Sequence, residues 1–134
     1  MKTGIWVLAA ALAAAAPANA HHSFAMFDQA KTATLSATVK EFQWTNPHVW
    51  LQLVTADGQG GVQEWGIEAS TPSMLGRNGW SRHSFAPGDK VTVVIHPMKS
   101  GEHGGSFISA TFADGHSLHE VAGLAANSPQ VGKP

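Results

Sequence analysis

His21 and His22 stand directly behind Ala18-Asn19-Ala20, and a cut after Ala20 makes His21 the first residue of the mature chain. A terminal histidine carries a free α-amine and an imidazole on one residue, so its two nitrogens can close a chelate ring on one metal ion. One further imidazole gives three nitrogens in the planar arrangement that Cu(II) accepts. Zinc is the alternative, because histidine serves both metals. His22 is one candidate for the third nitrogen, although adjacent side chains often diverge, and His48 is an equally good donor from the body of the domain. Met26 adds a thioether of the kind that suits Cu(I). The same histidine pair also reads as a plain hydrophilic start that aids processing.

A second constellation is Trp44, Asn46, His48 and Trp50, with Trp65 and Glu68 on the strand expected to pair beside them. A carboxylate such as Glu68 can take the hydrogen of one His48 nitrogen, which fixes the tautomer and orients the other nitrogen outward. The same bond equally serves to satisfy two buried polar groups. Trp44 and Trp65 fall on inward phases and suit packing. Trp50 falls on the outward phase and is expected at the surface beside Asn46 and His48. Trp44, Asn46, Trp50 and Glu68 thus form a candidate face for a peptide, glycan or small ligand. His103, His116 and His119 sit in glycine-rich or late segments and read as solvated, and His96 reads as structural or exposed.

Composition narrows the partners. There are eight histidines against only eight Lys and Arg and nine Asp and Glu, and no cysteine. Without cysteine there are no thiolate ligands, no thiol catalysis and no disulfides, so the fold relies on its core. The apolar run Ile5 to Ala16 behind Lys2 and ahead of Pro17 reads as a signal peptide, too short to span a bilayer of about 30 Å. Nothing later approaches about 18 uninterrupted apolar residues, so no stable membrane insertion is expected after cleavage. Periplasmic or secreted location follows. Taking residues 1–20 from 134 leaves 114, enough for one small core. Lys2 leaves with the signal, so seven basic residues face nine acidic ones, a net charge of −2 that disfavours nucleic acid. No GxSxG, HExxH or phosphate-cradling loop is present, so an enzyme is not expected.

These side chains need a scaffold, and its signals are those of strands. From Thr32 the apolar residues alternate, with Leu35, Ala37 and Val39 on one face. The phase then slips to Phe42 and Trp44, which predicts a β-bulge near Lys40-Glu41. Asn46-Pro47 marks a turn. The second strand is expected over His48 to Thr55 and the third over Val62 to Ala69, joined by Asp57-Gly58-Gln59-Gly60-Gly61. Ser70-Thr71-Pro72 opens a short helix with a hydroxyl cap and proline in its first turn, and Gly79 stops it. Two strands follow, Lys90 to Met98 and Ser106 to Ala113, with a last piece towards Val121. Three strands, a helix and two strands, led by a long bent strand, predict an all-β, five-stranded OB-fold-like barrel with one short helix between strands 3 and 4. The expected organisation is a cleaved signal helix over 1–20, an arm over 21–31, the barrel over 32–121 and a flexible tail over 122–134.

The chain also resembles a known family. His21-His22-Ser23-Phe24 with Phe27-Asp28, Glu41-Phe42-Gln43-Trp44-Thr45-Asn46-Pro47-His48, Glu64-Trp65-Gly66-Ile67-Glu68 and Pro87-Gly88-Asp89-Lys90-Val91 are similar to the DUF6152 group of small exported bacterial proteins. The resemblance implies an exported β-rich domain and carries no activity, substrate or cofactor. The function expected from the residues is therefore binding: copper or zinc through His21, His22 and His48, or a metal-free ligand on the tryptophan face. No protein partner can be named from the sequence.

Overall fold

The structure is a computed structural model that describes residues 24–120. The signal segment, the His21-His22 pair and the tail 122–134 lie outside the described residues. Six strands and one helix follow in the order β1 (Ala33–Gln43), β2 (Trp50–Ala56), β3 (Val62–Glu68), α1 (Pro72–Arg77), β4 (Lys90–Pro97), β5 (Gly104–Phe112) and β6 (Ser117–His119).

The sheet closes on itself. Its order is β3-β2-β1-β4-β5-β6, and β5 returns to pair in parallel with β3 through Gly66–Gly104, Ile67–Gly105 and Glu68–Ser106. The five-stranded barrel with its helix between β3 and β4 is the OB-like arrangement expected from the strand pattern, with β6 added along β5. The predicted bulge is present, because the β1–β2 register shifts between Val39 and Glu41. That extra residue bends the long first strand so that it can pair with β2 at one end and β4 at the other.

Two-residue alternation carries the core. Leu51, Leu53, Ile67, Val93 and Ile95 point inward and are fully buried, each worth about 1.5–3 kcal/mol of apolar burial. Leu75 of α1 joins them, with Trp80 packed against Phe85 and Phe107 at ring separations of 5.5 and 4.9 Å. The helix begins as its sequence suggests: Thr71 is the cap, its hydroxyl accepts from the Met74 N–H, and Pro72 stands in the first turn. β5 starts at Gly104, two residues ahead of the expected Ser106. The glycines are needed at the seam rather than for a turn. A Cβ on Gly105 would stand 2.5 Å from the His96 carbonyl oxygen, and one on Gly104 would stand 3.1 Å from that of Gly66.

Candidate functional site

Inward residues alternate with outward ones, and on four strands the outward positions line up. The pairings His96–Ser106, Ser106–Glu68 and Glu68–Trp50 run across β4, β5, β3 and β2 in one lateral row. The backbone continues this order beyond β2: Val49 N–H donates to the Ser70 carbonyl at 3.1 Å, and Ala69 N–H donates to the Val49 carbonyl at 2.9 Å. That pairing holds His48, which precedes the strand, against the end of β3. The Thr45 hydroxyl donates to the His48 carbonyl at 3.2 Å and ties the preceding turn to it.

Over this row lies a cleft of about 430 Å³ lined by His48, Glu68, Ser70, His96, Ser106 and Glu120, with Ala69, Met74, Phe107 and Ile108 as its apolar wall. Gln29 brings the N-terminal arm to its rim. The arm is seated along the end of β4: Phe27 is buried and bridges Met98, Asp28 N–H donates to the Pro97 carbonyl at 2.8 Å, and Lys99 N–H donates to the Met26 carbonyl at 3.0 Å. Asp28 accepts from Lys31 Nζ and from the Ala30 N–H, which holds its carboxyl below the usual range.

Both cleft histidines have Nδ1 engaged. His48 Nδ1 meets Glu68 Oε1 in a close ion-pair contact, and the Glu68 side chain is almost wholly buried. A carboxylate only accepts, so a hydrogen sits on Nδ1. His96 Nδ1 lies 2.8 Å from the Lys31 carbonyl oxygen, which again only accepts. This carboxylate- or carbonyl-anchored imidazole is the arrangement that orients histidine towards a metal.

Glu120 supplies the second carboxyl. Its Oε1 accepts from the Ser70 N–H at 2.8 Å and from the Ser70 hydroxyl, while its buried Oε2 has no hydrogen-bond partner. Burial pushes this carboxyl up, opposed by the bonds from Ser70 and by the charge of His48. Among the described residues lining the cleft there is no lysine or arginine. Its electrostatics therefore favour a cation over an anion.

The expected site residues divide. His48 and Glu68 meet as a pair and line the cleft. Trp50 is half-buried at the far end of the row, with its ring over Gly66, where a Cβ would meet it at 3.9 Å. Trp44 is half-buried against Phe42 at 6.0 Å between rings, and Asn46 is exposed at the Asn46–Pro47 turn, whose peptide bond is cis. None of Trp44, Asn46 and Trp50 joins the cleft lining. His103 is exposed as expected, yet stacks on Trp65 at 4.8 Å, and His116 stacks on Phe112 at 4.1 Å.

His96, Ser70, Ser106 and Glu120 were not expected at the site. The outward phase of His96 is visible in the alternation of β4, but its meeting with Glu68 depends on two inter-strand registers. Glu120 follows a three-residue strand with too little alternation to read. Among the described residues no three His, Cys, Asp or Glu side chains gather closely enough to hold a metal by themselves. No described helix is long and apolar enough to cross a membrane.

A family model described as "Family of unknown function (DUF6152)" covers residues 9–107. No curated protein and no solved structure matches the chain.

Proposed function

The chain belongs to DUF6152, a family of unknown function, and we propose that the mature protein is an exported, periplasmic binding barrel that holds a transition-metal ion, copper, between His21-His22 and His48. It acts by binding, without catalysis. The observation that carries this reading is the His48–Glu68 pair on the cleft wall: a buried carboxylate takes the Nδ1 hydrogen and fixes the orientation of the ring. The cleft's two carboxyls and its lack of lysine or arginine add an electrostatic preference for a cation.

Chain length is compatible with the arm's part. His21 lies three residues ahead of Phe24, at most about 10 Å of extended backbone, and the arm from Met26 onward already runs beside the cleft. In this reading a nitrogen from the terminus completes the ligand set, which ties the site to processing after Ala20.

The test is Cu(II) and Zn(II) titration of the processed protein, with and without α-amine acetylation. Acetylation or His48→Asn should weaken copper binding by more than about 100-fold, beyond the loss typical of an outer-shell residue. Binding indifferent to both removes the reading. A metal-free module is the alternative, favoured by the apolar wall and by a volume within the range of roughly 300–1,000 Å³ typical of small-ligand pockets. Benzyl alcohol shifting the backbone resonances of Ala69 and Phe107, in protein that ignores copper, would support that alternative.

A further inference from the structure

Glu120 is held at its backbone from two sides. Its N–H donates to the Ile108 carbonyl of β5 at 3.0 Å, and its own carbonyl accepts from Nδ2 of Asn78, at the end of α1, at 2.5 Å. The side chain then ties down the segment between β3 and α1 through one oxygen: Oε1 accepts from both the N–H and the hydroxyl of Ser70. An amide oxygen would serve that tie equally well. What a carboxylate adds is charge and a second acceptor, and Oε2 is buried with no hydrogen-bond partner. A buried acceptor without a donor is costly, the more so when the group is charged. The tie to Ser70 therefore does not account for a glutamate at this position.

The cleft that Glu120 lines supplies the rest of a binding site. Its volume of about 430 Å³ suits a small molecule rather than a polymer. Glu68, the other carboxyl, is already paired with His48, and no lysine or arginine is among the described lining residues. Glu120 is thus the cleft carboxyl without a cationic neighbour of its own. The apolar wall includes Phe107 and Ile108 of β5 and Met74 of α1, and Met74 is 55 % exposed. Methionine is flexible enough to fold over an apolar body placed beside it. We infer that the cleft takes a small primary amine with an apolar body, its ammonium on Glu120 Oε2 and its body against Met74, Phe107 and Ile108. A tilt of the carboxyl, hinged on the bonds from Ser70, brings the buried Oε2 to the ligand. The ammonium then supplies the donor that this oxygen lacks, and its charge opposes the burial that pushes the carboxyl up. The inference goes beyond the metal reading and needs neither a metal nor the histidine terminus.

Benzylamine and benzyl alcohol share a ring and differ in charge, so the pair isolates the part played by the carboxylate. Processed, metal-free protein is titrated with each and followed by the backbone resonances of Ser70, Phe107 and Ile108. Saturable shifts are expected with benzylamine, at an affinity about tenfold or more above that of the alcohol, as a charged hydrogen bond requires. Glu120→Gln keeps an oxygen for Ser70 and should erase that preference. Met74→Ser should weaken benzylamine several-fold and leave the preference intact. Urea unfolding checks that each variant folds; should Glu120→Gln fail, Met74→Ser on the exposed side of α1 carries the test, and unchanged benzylamine affinity there overturns the inference. Equal affinity for amine and alcohol in the wild type would also overturn it, as would a preference that survives in Glu120→Gln. Protein that binds Cu(II) and gives no saturable shift with benzylamine would remove this inference and leave the metal reading standing. Protein that binds benzylamine and ignores Cu(II) would remove the metal reading alone.

Discussion

The two faces of the same four strands are built on different terms. Inward, Leu51, Ile67, Ile95 and Phe107 form a buried apolar layer. One residue away along each strand, Trp50, Glu68, His96 and Ser106 form the outward row, and the last three of them line the cleft. The inner layer requires only apolar side chains of suitable volume, and substitutions there act on the fold as a whole. The outer row depends on particular atoms, since an imidazole is oriented only while its own acceptor is in place. Stability should therefore reside in the first face and ligand affinity in the second.

The sharpest break of that contrast is in the inner layer. Ile67→Ala should cost about 2–5 kcal/mol in urea unfolding while leaving the copper affinity of the folded fraction within a few-fold of wild type. A large loss of affinity would show that the two faces are coupled. Gly105→Ala probes the place where they meet, because its Cβ would press on the His96 carbonyl at 2.5 Å. A cost of about 1–3 kcal/mol is expected, together with weakened metal binding as β4 shifts.

Glu68→Gln tests the outer face. It keeps the size of the side chain and removes the charge that orders His48, so copper affinity should fall about 10–100-fold with a smaller change in unfolding midpoint. The reverse pattern would make Glu68 a structural residue. Glu120→Gln acts through pH. The raised carboxyl of Glu120 keeps its proton in the folded state at pH values where the unfolded chain, near 4.5, has already lost it. Wild-type stability should therefore fall as pH rises from about the unfolded value through the folded one, and the glutamine variant should lack this contribution. Urea midpoints across the acid-to-neutral range measure the difference. The smallest effect is expected at the open end of the barrel, where His103→Ala removes the stack on Trp65 at a cost of no more than about 1 kcal/mol.

Much of the barrel was legible because its signals are local. Alternation at Leu51, Leu53, Val91, Val93 and Ile95 marks the strands, the slip from Val39 to Phe42 marks the bulge, and Thr71-Pro72 marks the helix start. The pairing of His48 with Glu68 was also open to inference, since β2, which His48 precedes, and β3 are joined by a short hairpin and pair in a simple antiparallel register. His96 was not, although its outward phase could be read directly.

What the amino-acid order determined alone is the phase of each strand: which residues point in and which point out, a property of the two-residue repeat of an extended chain. What only the tertiary structure decided is which outward residues become neighbours. Closure of β5 onto β3, allowed by the bare backbone of Gly104 and Gly105, sets Ser106 between Glu68 and His96. The seat of Glu120 against Ser70 has the same origin. These contacts join residues far apart along the chain, and no repeat within a single strand encodes the register between two.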